Sequence, residues 1–131
     1  MRTRSDEARG SVSAMVVSLA AALVFLSGVV HDTGRLVETH ARLSDVAGNA
    51  ARVSAQSVRG IRSGSPEIDS MGGRQRGTAM LRTEGVSGRI TVAAGRVQVE
   101  VHERVSLVAL VLLGIPAREI TVTRSAAVMS G

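Results

Sequence analysis

The sequence contains no cysteine, no tryptophan and no tyrosine, and Phe25 is its single phenylalanine. Without cysteine the chain forms no disulfides, and zinc–thiolate sites and thiol nucleophiles are excluded. Aromatic side chains normally supply much of the apolar area that a small domain buries. A core made only of aliphatic side chains predicts a domain of marginal stability, or one that depends on a partner.

Lysine is also absent, so all 16 basic residues are arginine, and 11 acidic residues leave a net charge of +5. Most of the arginines stand singly, with acidic residues between them. Proteins that bind single-stranded nucleic acid combine a continuous basic groove with aromatic side chains on which bases stack. This chain has neither feature, so the sequence argues against a nucleic-acid partner.

Charge is absent from one long apolar run, Ser11–Val30, which has no proline and one glycine. As an α-helix the run measures about 30 Å, the thickness of the hydrocarbon core of a bilayer. It predicts a transmembrane helix. Residues 1–10 carry more basic charge than the segment after the run, which places the N-terminus in the cytoplasm and the C-terminal part outside. A cleaved signal peptide is the rival, but its apolar region is shorter and ends at a small-residue cleavage site that is poorly matched here.

Small residues recur at every fourth position on one face of this helix, namely at Ala14, Ser18 and Ala22. This spacing lets two membrane helices approach closely, so it predicts helix–helix association, with chance in an alanine-rich segment as the alternative. Beyond the span, apolar and small residues still recur every three or four positions, from Leu36 to Ile61. The sequence therefore predicts one continuous rod from Ser11 to Arg59, half of it in lipid.

The second half of the chain changes its pattern. Ser65-Pro66-Glu67 predicts the start of a weaker helix, with Ser65 as its N-cap. From residue 89 the apolar residues alternate, which predicts a β-hairpin of valines and then a third strand at Glu119–Thr123. Between them, the apolar run Val105–Ile115 is too short to cross a bilayer. A buried short helix, a core strand and a segment on the membrane surface are the alternatives, and we favour the helix.

The predicted fold class is α+β and membrane-anchored, with a long N-terminal helix packed on a small antiparallel sheet in a pilin-like arrangement. Its segments are a basic cytoplasmic tail (1–10), a transmembrane helix (11–30), its extramembrane continuation (31–62), a loop or weak helix (63–88), and an antiparallel β region with a short apolar helix (89–131).

No motif in the sequence indicates catalysis. The three histidines, at positions 31, 40 and 102, are far apart, and neither an H-E-x-x-H nor a G-x-S-x-G motif is present. Phosphate-binding and dinucleotide-binding glycine patterns are also missing. We therefore expect no catalytic activity, no metal site and no cofactor.

Two short motifs flank the apolar run. Arg9-Gly10-Ser11-Val12-Ser13 precedes it, and Val29-Val30-His31-Asp32-Thr33-Gly34-Arg35 follows it. Together with the alanine-rich helix after them, they resemble the TadE/TadG family of Flp (tight-adherence, type IVb) pilus-assembly proteins of actinobacteria. The family has a VVDGGR-like junction, which Asp32, Gly34 and Arg35 match, whereas His31 is an insertion and Thr33 replaces a glycine. The valine hairpin, leucine-rich stretch and last strand follow in the family's order.

The resemblance implies a membrane-anchored, pseudopilin-like accessory of a Flp pilus or secretion system. Its partners would be membrane lipid and other pilus-assembly or secretion membrane proteins, with self-association or hetero-association through the transmembrane helix. It also implies cleavage by a prepilin peptidase between Gly10 and Ser11.

In pseudopilins a glutamate at the fifth mature position assists assembly, because a lone carboxylate in lipid is costly until a neighbour relieves it. Met15 stands there in this chain, so an anchored accessory matches better than a filament subunit. A single-pass envelope binding module unrelated to pili is the alternative, and a membrane-tethered hydrolase ranks last.

Overall fold

The computed structural model describes residues 3–56, 58–59 and 67–127. Its largest element is a single helix, α1 (Thr3–Ala55), of 53 residues. At 1.5 Å per residue α1 is about 80 Å long. The elements that follow are β1 (Val58–Arg59), β2 (Glu67–Ile68), α2 (Ser70–Thr83), β3 (Ser87–Ala93), β4 (Arg96–Ser106), a 3-10 helix (Leu110–Leu113) and β5 (Ala117–Ala127). A long helix on a small antiparallel sheet confirms the predicted α+β class.

The two halves of α1 have different surroundings. Between residues 11 and 30 its apolar side chains are exposed apart from the half-buried Phe25 and Val29, and the helix has the length and composition to cross a membrane. From Leu43 onward one face is buried against the rest of the chain, while charged residues such as Arg52 take the opposite face. The predicted helical period is therefore confirmed in the part of α1 that packs on the sheet.

The sheet is an antiparallel meander in the order β3-β4-β5. The valines of β4 at positions 97, 99 and 101 are buried, while the residues between them are exposed. Val101 pairs with Val122 of β5, which is also buried. The buried face lies against α1 and α2, and its core includes Leu43, Ala47, Ala50, Leu81, Val86 and Ile90. The valine hairpin and the third strand are thus confirmed, the latter over a longer range than predicted.

Helix α2 begins later than predicted and continues without interruption. Asp69 is its N-cap, with its carboxylate accepting the N–H of Gly72 at 3.0 Å, whereas the predicted cap, Ser65, lies outside the described residues. The two glycines at 72 and 73 do not interrupt the helix. Gly77 is buried at the crossing with α1, where an added Cβ would lie 2.2 Å from Ser54 Oγ.

Helix α1 ends at Ala55, four residues before the predicted end at Arg59. Val58 and Arg59 instead form β1, in which Val58 pairs with Ile68 of β2. The helical spacing of apolar residues therefore continues slightly past the end of α1. The residues there form a short two-stranded sheet instead.

The favoured prediction for Val105–Ile115, a buried helix, is wrong. Val105 belongs to β4 and is buried, because the inward alternation of the strand continues to its end. Only residues 110–113 form a 3-10 helix, and they are not buried: Leu112 is 75% exposed. Gly114 has a φ of +80° and Pro116 follows, so the chain turns sharply back into β5.

Candidate functional site at the helix–loop junction

Asp32 is a fully buried carboxylate on α1. A buried charge needs hydrogen-bond donors, and three consecutive backbone N–H groups supply them. Asp32 Oδ2 accepts from Ala109 at 2.8 Å, from Leu110 at 3.0 Å and from Val108 at 3.1 Å, while Oδ1 accepts from Val108 at 2.9 Å. Asp32 therefore caps the start of the 3-10 helix from a distant position in the chain.

These donors hold the pKa of Asp32 below its ordinary value of 3.8. The N–H of Val108 is the largest cause; burial opposes it, and the N–H groups of Leu110 and Ala109 and the charge of His31 act in the same direction as Val108. Aligned N–H groups at a helix start favour an anion for the same reason that they bind phosphate. Asp32 is consequently ionised at neutral pH.

Two further residues on the same side of α1 contact the chain between the end of β4 and the 3-10 helix. A Cβ added at Gly28 would lie 2.6 Å from the Cβ of Ala109, so a side chain there would push the loop away. Arg35 donates from Nη1 to the carbonyl oxygen of Ser106 at 3.1 Å. Spacings of three and four residues place Gly28, Asp32 and Arg35 on one face of the helix. Along this face, Gly28 allows a close backbone approach, Asp32 accepts hydrogen bonds and Arg35 donates one.

The segment held in this way, residues 107–116, is called here the apolar loop. The N–H of Leu107 donates to the carbonyl of Pro116 at 3.0 Å, which closes the base of the loop. Leu107 and Ala109 are buried, whereas the side chains at 108 and 111–115 are exposed. The loop thus turns Leu107 and Ala109 inwards and its other large apolar side chains outwards.

The structure brings two of the three predicted junction residues to the loop or its base. Asp32 bonds to the loop and Arg35 bonds to Ser106, the last residue of β4 before it, but nothing lies within 4 Å of a Cβ added at Gly34. Their partners were missed by the sequence reasoning, because backbone N–H groups leave no mark in a sequence. The available signal was an acidic residue directly after one apolar run together with a second apolar run that ends in Gly114 and Pro116.

A second polar contact between α1 and the sheet was also missed. Arg42 forms a salt bridge with Glu103, which the alternation of β4 places on the helix side of the sheet. Nearby, Arg124 Nη2 donates to Ser44 Oγ at 2.9 Å. Both contacts are exposed, so each contributes little stability, and the buried core is what holds the sheet on α1.

The predicted helix-packing residues Ala14, Ser18 and Ala22 are all exposed on the apolar half of α1. On another face, four large apolar residues recur every seventh position and are 57–72% exposed: Val16, Leu23, Val30 and Val37. We call this set the heptad stripe. Helical periodicity puts it on the side of α1 opposite Gly28 and Asp32. Association through either face remains a prediction.

The predicted cleavage position, between Gly10 and Ser11, lies within α1, and Met15, at the position of the expected glutamate, is 73% exposed. Within the described ranges no group of three or more histidine and acidic side chains could hold a metal ion. His31, His40 and His102 are each exposed. The expectations of no metal, no cofactor and no catalysis, and of processing after Gly10, therefore stay expectations.

In the comparison with protein families, residues 10–57 match the Flp pilus-assembly TadE/G-like family model. The matched segment contains the apolar run, the junction motif and the part of α1 that packs on the sheet. The predicted TadE/TadG-like relationship is therefore confirmed for this segment. Neither the curated proteins nor the solved structures gave a match to the chain.

Proposed function

Because the TadE/G-like segment associates this chain with Flp pilus assembly, we propose that it is a non-catalytic, single-pass membrane accessory of a Flp-type pilus or secretion system. Its N-terminus lies in the cytoplasm, and the domain formed by α2 and the sheet lies outside the membrane. It acts through contacts of its helix and domain with other pilus-assembly membrane proteins. The observation that carries the proposal is the family match across the apolar run and the junction.

The exposure of α1 supports the membrane part of the proposal. Residues 11–30 offer large apolar side chains to the surroundings, and no residue in the most apolar window of this helix is buried. Such a surface is unfavourable in water and favourable in lipid. The arginines at positions 2, 4 and 9 precede the run, which favours the cytoplasmic side for the N-terminus.

The heptad stripe supports a role in helix–helix contact. Two helices pack side by side along apolar residues at two positions of each seven-residue repeat, and the heptad stripe supplies one of these positions. The stripe does not end with the apolar run, because Val37 is still 65% exposed seven residues after Val30. Val30 and Val37 also line a groove with Val29, Thr33, Gly34 and Glu38. A partner helix would therefore follow α1 out of the membrane.

The proposal is tested by deleting the gene and measuring assembled pilin in the fraction sheared from the cell surface. We expect assembled pilin to disappear while unassembled pilin remains in the membrane, and the wild-type gene to restore it. Val37→Glu should restore it poorly, since it places a charge on the heptad stripe. Asn49→Glu is the matched control, because Asn49 is also exposed on α1 but lies off the stripe. Normal pilus assembly in the deletion strain would refute the proposed function and favour the unrelated envelope module.

Topology and processing have separate tests. In spheroplasts an N-terminal tag should resist external protease and a tag after Gly131 should be digested, whereas the reverse result would refute the orientation. Cleavage by a prepilin peptidase should give a mature protein whose mass begins at Ser11. An intact Met1 would refute the cleavage and leave the anchor in place.

A further inference from the structure

The outer surface of the apolar loop has no charged side chain. From Leu107 to Pro116 the sequence is uncharged, and its exposed apolar residues are 42–75% accessible: Val108, Val111, Leu112, Leu113 and Ile115. Exposed apolar clusters of this kind mark a surface that contacts a partner or a membrane. We define this cluster as the loop tip.

Backbone N–H groups of the apolar loop are hydrogen-bonded within the protein, as an apolar medium requires. Asp32 accepts the N–H groups of residues 108–110, and the N–H groups of Leu112, Gly114 and Ile115 donate to carbonyls inside the loop at 2.9–3.1 Å. Each unsatisfied backbone group costs several kcal/mol in hydrocarbon. Because these amides are paired within the protein, the tip can enter an apolar medium without leaving them unsatisfied.

The position of the loop indicates that this apolar medium is membrane lipid. It is held against α1 at Gly28 and Asp32, at the end of the apolar run, so the tip lies beside the last turn of the transmembrane segment. Above it, Arg35 is exposed and donates to Ser106, and Arg104 and Arg118 are exposed at the ends of β4 and β5. Arginines directly above an apolar surface suit anionic lipid headgroups.

We propose that the loop tip inserts into the outer leaflet of the membrane beside α1, with lipid acyl chains as its partner. The inference rests on the proposed membrane anchoring. It adds a second point of attachment, which fixes the tilt and rotation of the exported domain relative to the bilayer. Asp32 and Gly28 act as positioning residues that hold the tip at the correct height.

The absence of tryptophan and tyrosine makes a direct test simple, because one introduced tryptophan is the sole strong fluorophore. The full chain is reconstituted in vesicles of phosphatidylcholine and phosphatidylglycerol, with and without bromine on the acyl chains. Leu112→Trp reports the loop tip, Val24→Trp reports the transmembrane segment at a position off the heptad stripe, and Met71→Trp reports an exposed apolar position on α2. All three positions are 74–77% exposed, so the substitutions leave the core intact.

We expect Leu112→Trp and Val24→Trp to show blue-shifted emission that brominated lipid quenches, and Met71→Trp to show neither effect. If Val24→Trp is quenched while Leu112→Trp behaves like Met71→Trp, the insertion of the loop is refuted and the anchoring stands. If Leu112→Trp is blue-shifted but not quenched by bromine, protein rather than lipid covers the tip, which also refutes the inference. If Val24→Trp is not quenched, the anchoring and the insertion both fail.

Discussion

Replacing Gly28 by alanine is expected to displace the apolar loop from α1. The new Cβ would lie 2.6 Å from the Cβ of Ala109 and 3.8 Å from its Cα. Carbon atoms in good contact are about 3.5–4.0 Å apart, so the loop must move by about 1 Å to accommodate the methyl group. Overpacking of this kind costs about 1–3 kcal/mol.

Two variants separate this effect from a general change in α1. Gly34→Ala lies on the same helix, and nothing lies within 4 Å of its Cβ. It should leave the loop unchanged and stabilise the helix by up to about 1 kcal/mol, the difference in propensity between alanine and glycine. Ala109→Gly removes the opposing methyl group, so in combination with Gly28→Ala it should restore the docking of the loop on α1. The wild type, Gly28→Ala, Ala109→Gly and the double variant form a double-mutant cycle.

The assay is hydrogen–deuterium exchange of the amides of residues 108–110, whose N–H groups bond to Asp32. Each 1.4 kcal/mol of lost docking free energy accelerates exchange tenfold, so Gly28→Ala should accelerate it roughly 5- to 150-fold. Unchanged exchange in Gly28→Ala, or an equal acceleration in Gly34→Ala, would refute the reasoning from close contact. Absence of rescue by Ala109→Gly would show that another atom opposes the new methyl group.

Three further predictions use the same protein. Asp32→Asn should accelerate exchange at residues 108–110, because its amide nitrogen cannot accept their N–H groups, whereas Asp45→Asn, exposed on the same helix, should not. The wild-type loop should stay docked from about pH 8 to about pH 5 and be released in stronger acid, because the stabilising carboxylate is lost only as pH falls through the lowered pKa of Asp32; release near neutral pH would contradict this. Ser54→Ala should raise the free energy of unfolding by about 1 kcal/mol, since the buried Ser54 Oγ has no hydrogen-bond partner in the described part of the chain; a lower Tm would count against it.

The sequence predicted α1 and the sheet because both depend on local periodicity. The alternation of β4 places its valines on one face whatever the rest of the chain does, and a register slip would expose them all. Likewise the three-and-four spacing around Leu43 and Ala47 defines the buried face of α1. These elements follow from burial of apolar area, which the residue types reveal directly.

The contact between Asp32 and the loop was not predictable in the same way. Asp32 and Val108 are 76 positions apart, and the donors are backbone groups that any residue carries. Periodicity also failed at Val105–Ile115, because an apolar run alone does not distinguish a strand end from a helix. The deciding factor is tertiary: β4 extends as far as its pairing with β5 continues, at Ser106 and Ala117.

Helix start signals were ambiguous for a related reason. A serine before Pro66 and an aspartate at position 69 are both acceptable N-caps, and local propensity does not choose between them. The described β2 strand, Glu67–Ile68, pairs with β1 and requires extended backbone at the very residues that an earlier helix start would use. Tertiary pairing therefore selects the later cap.

The arrangement around α1 has a consequence for assembly. The sheet, α2 and the apolar loop pack on the side of Gly28, Asp32 and Leu43, whereas Val30 and Val37 stay exposed. Val37 also lines a cleft with Arg118 and Ile120 of β5, so under the proposed function a partner helix that packs along the heptad stripe would contact the edge of the sheet as it leaves the membrane. If the tip inserts in lipid on the other side, the two attachments oppose rotation of α1 about its axis. The stripe would then face a constant direction, which is what a directional contact with the proposed partner helix requires.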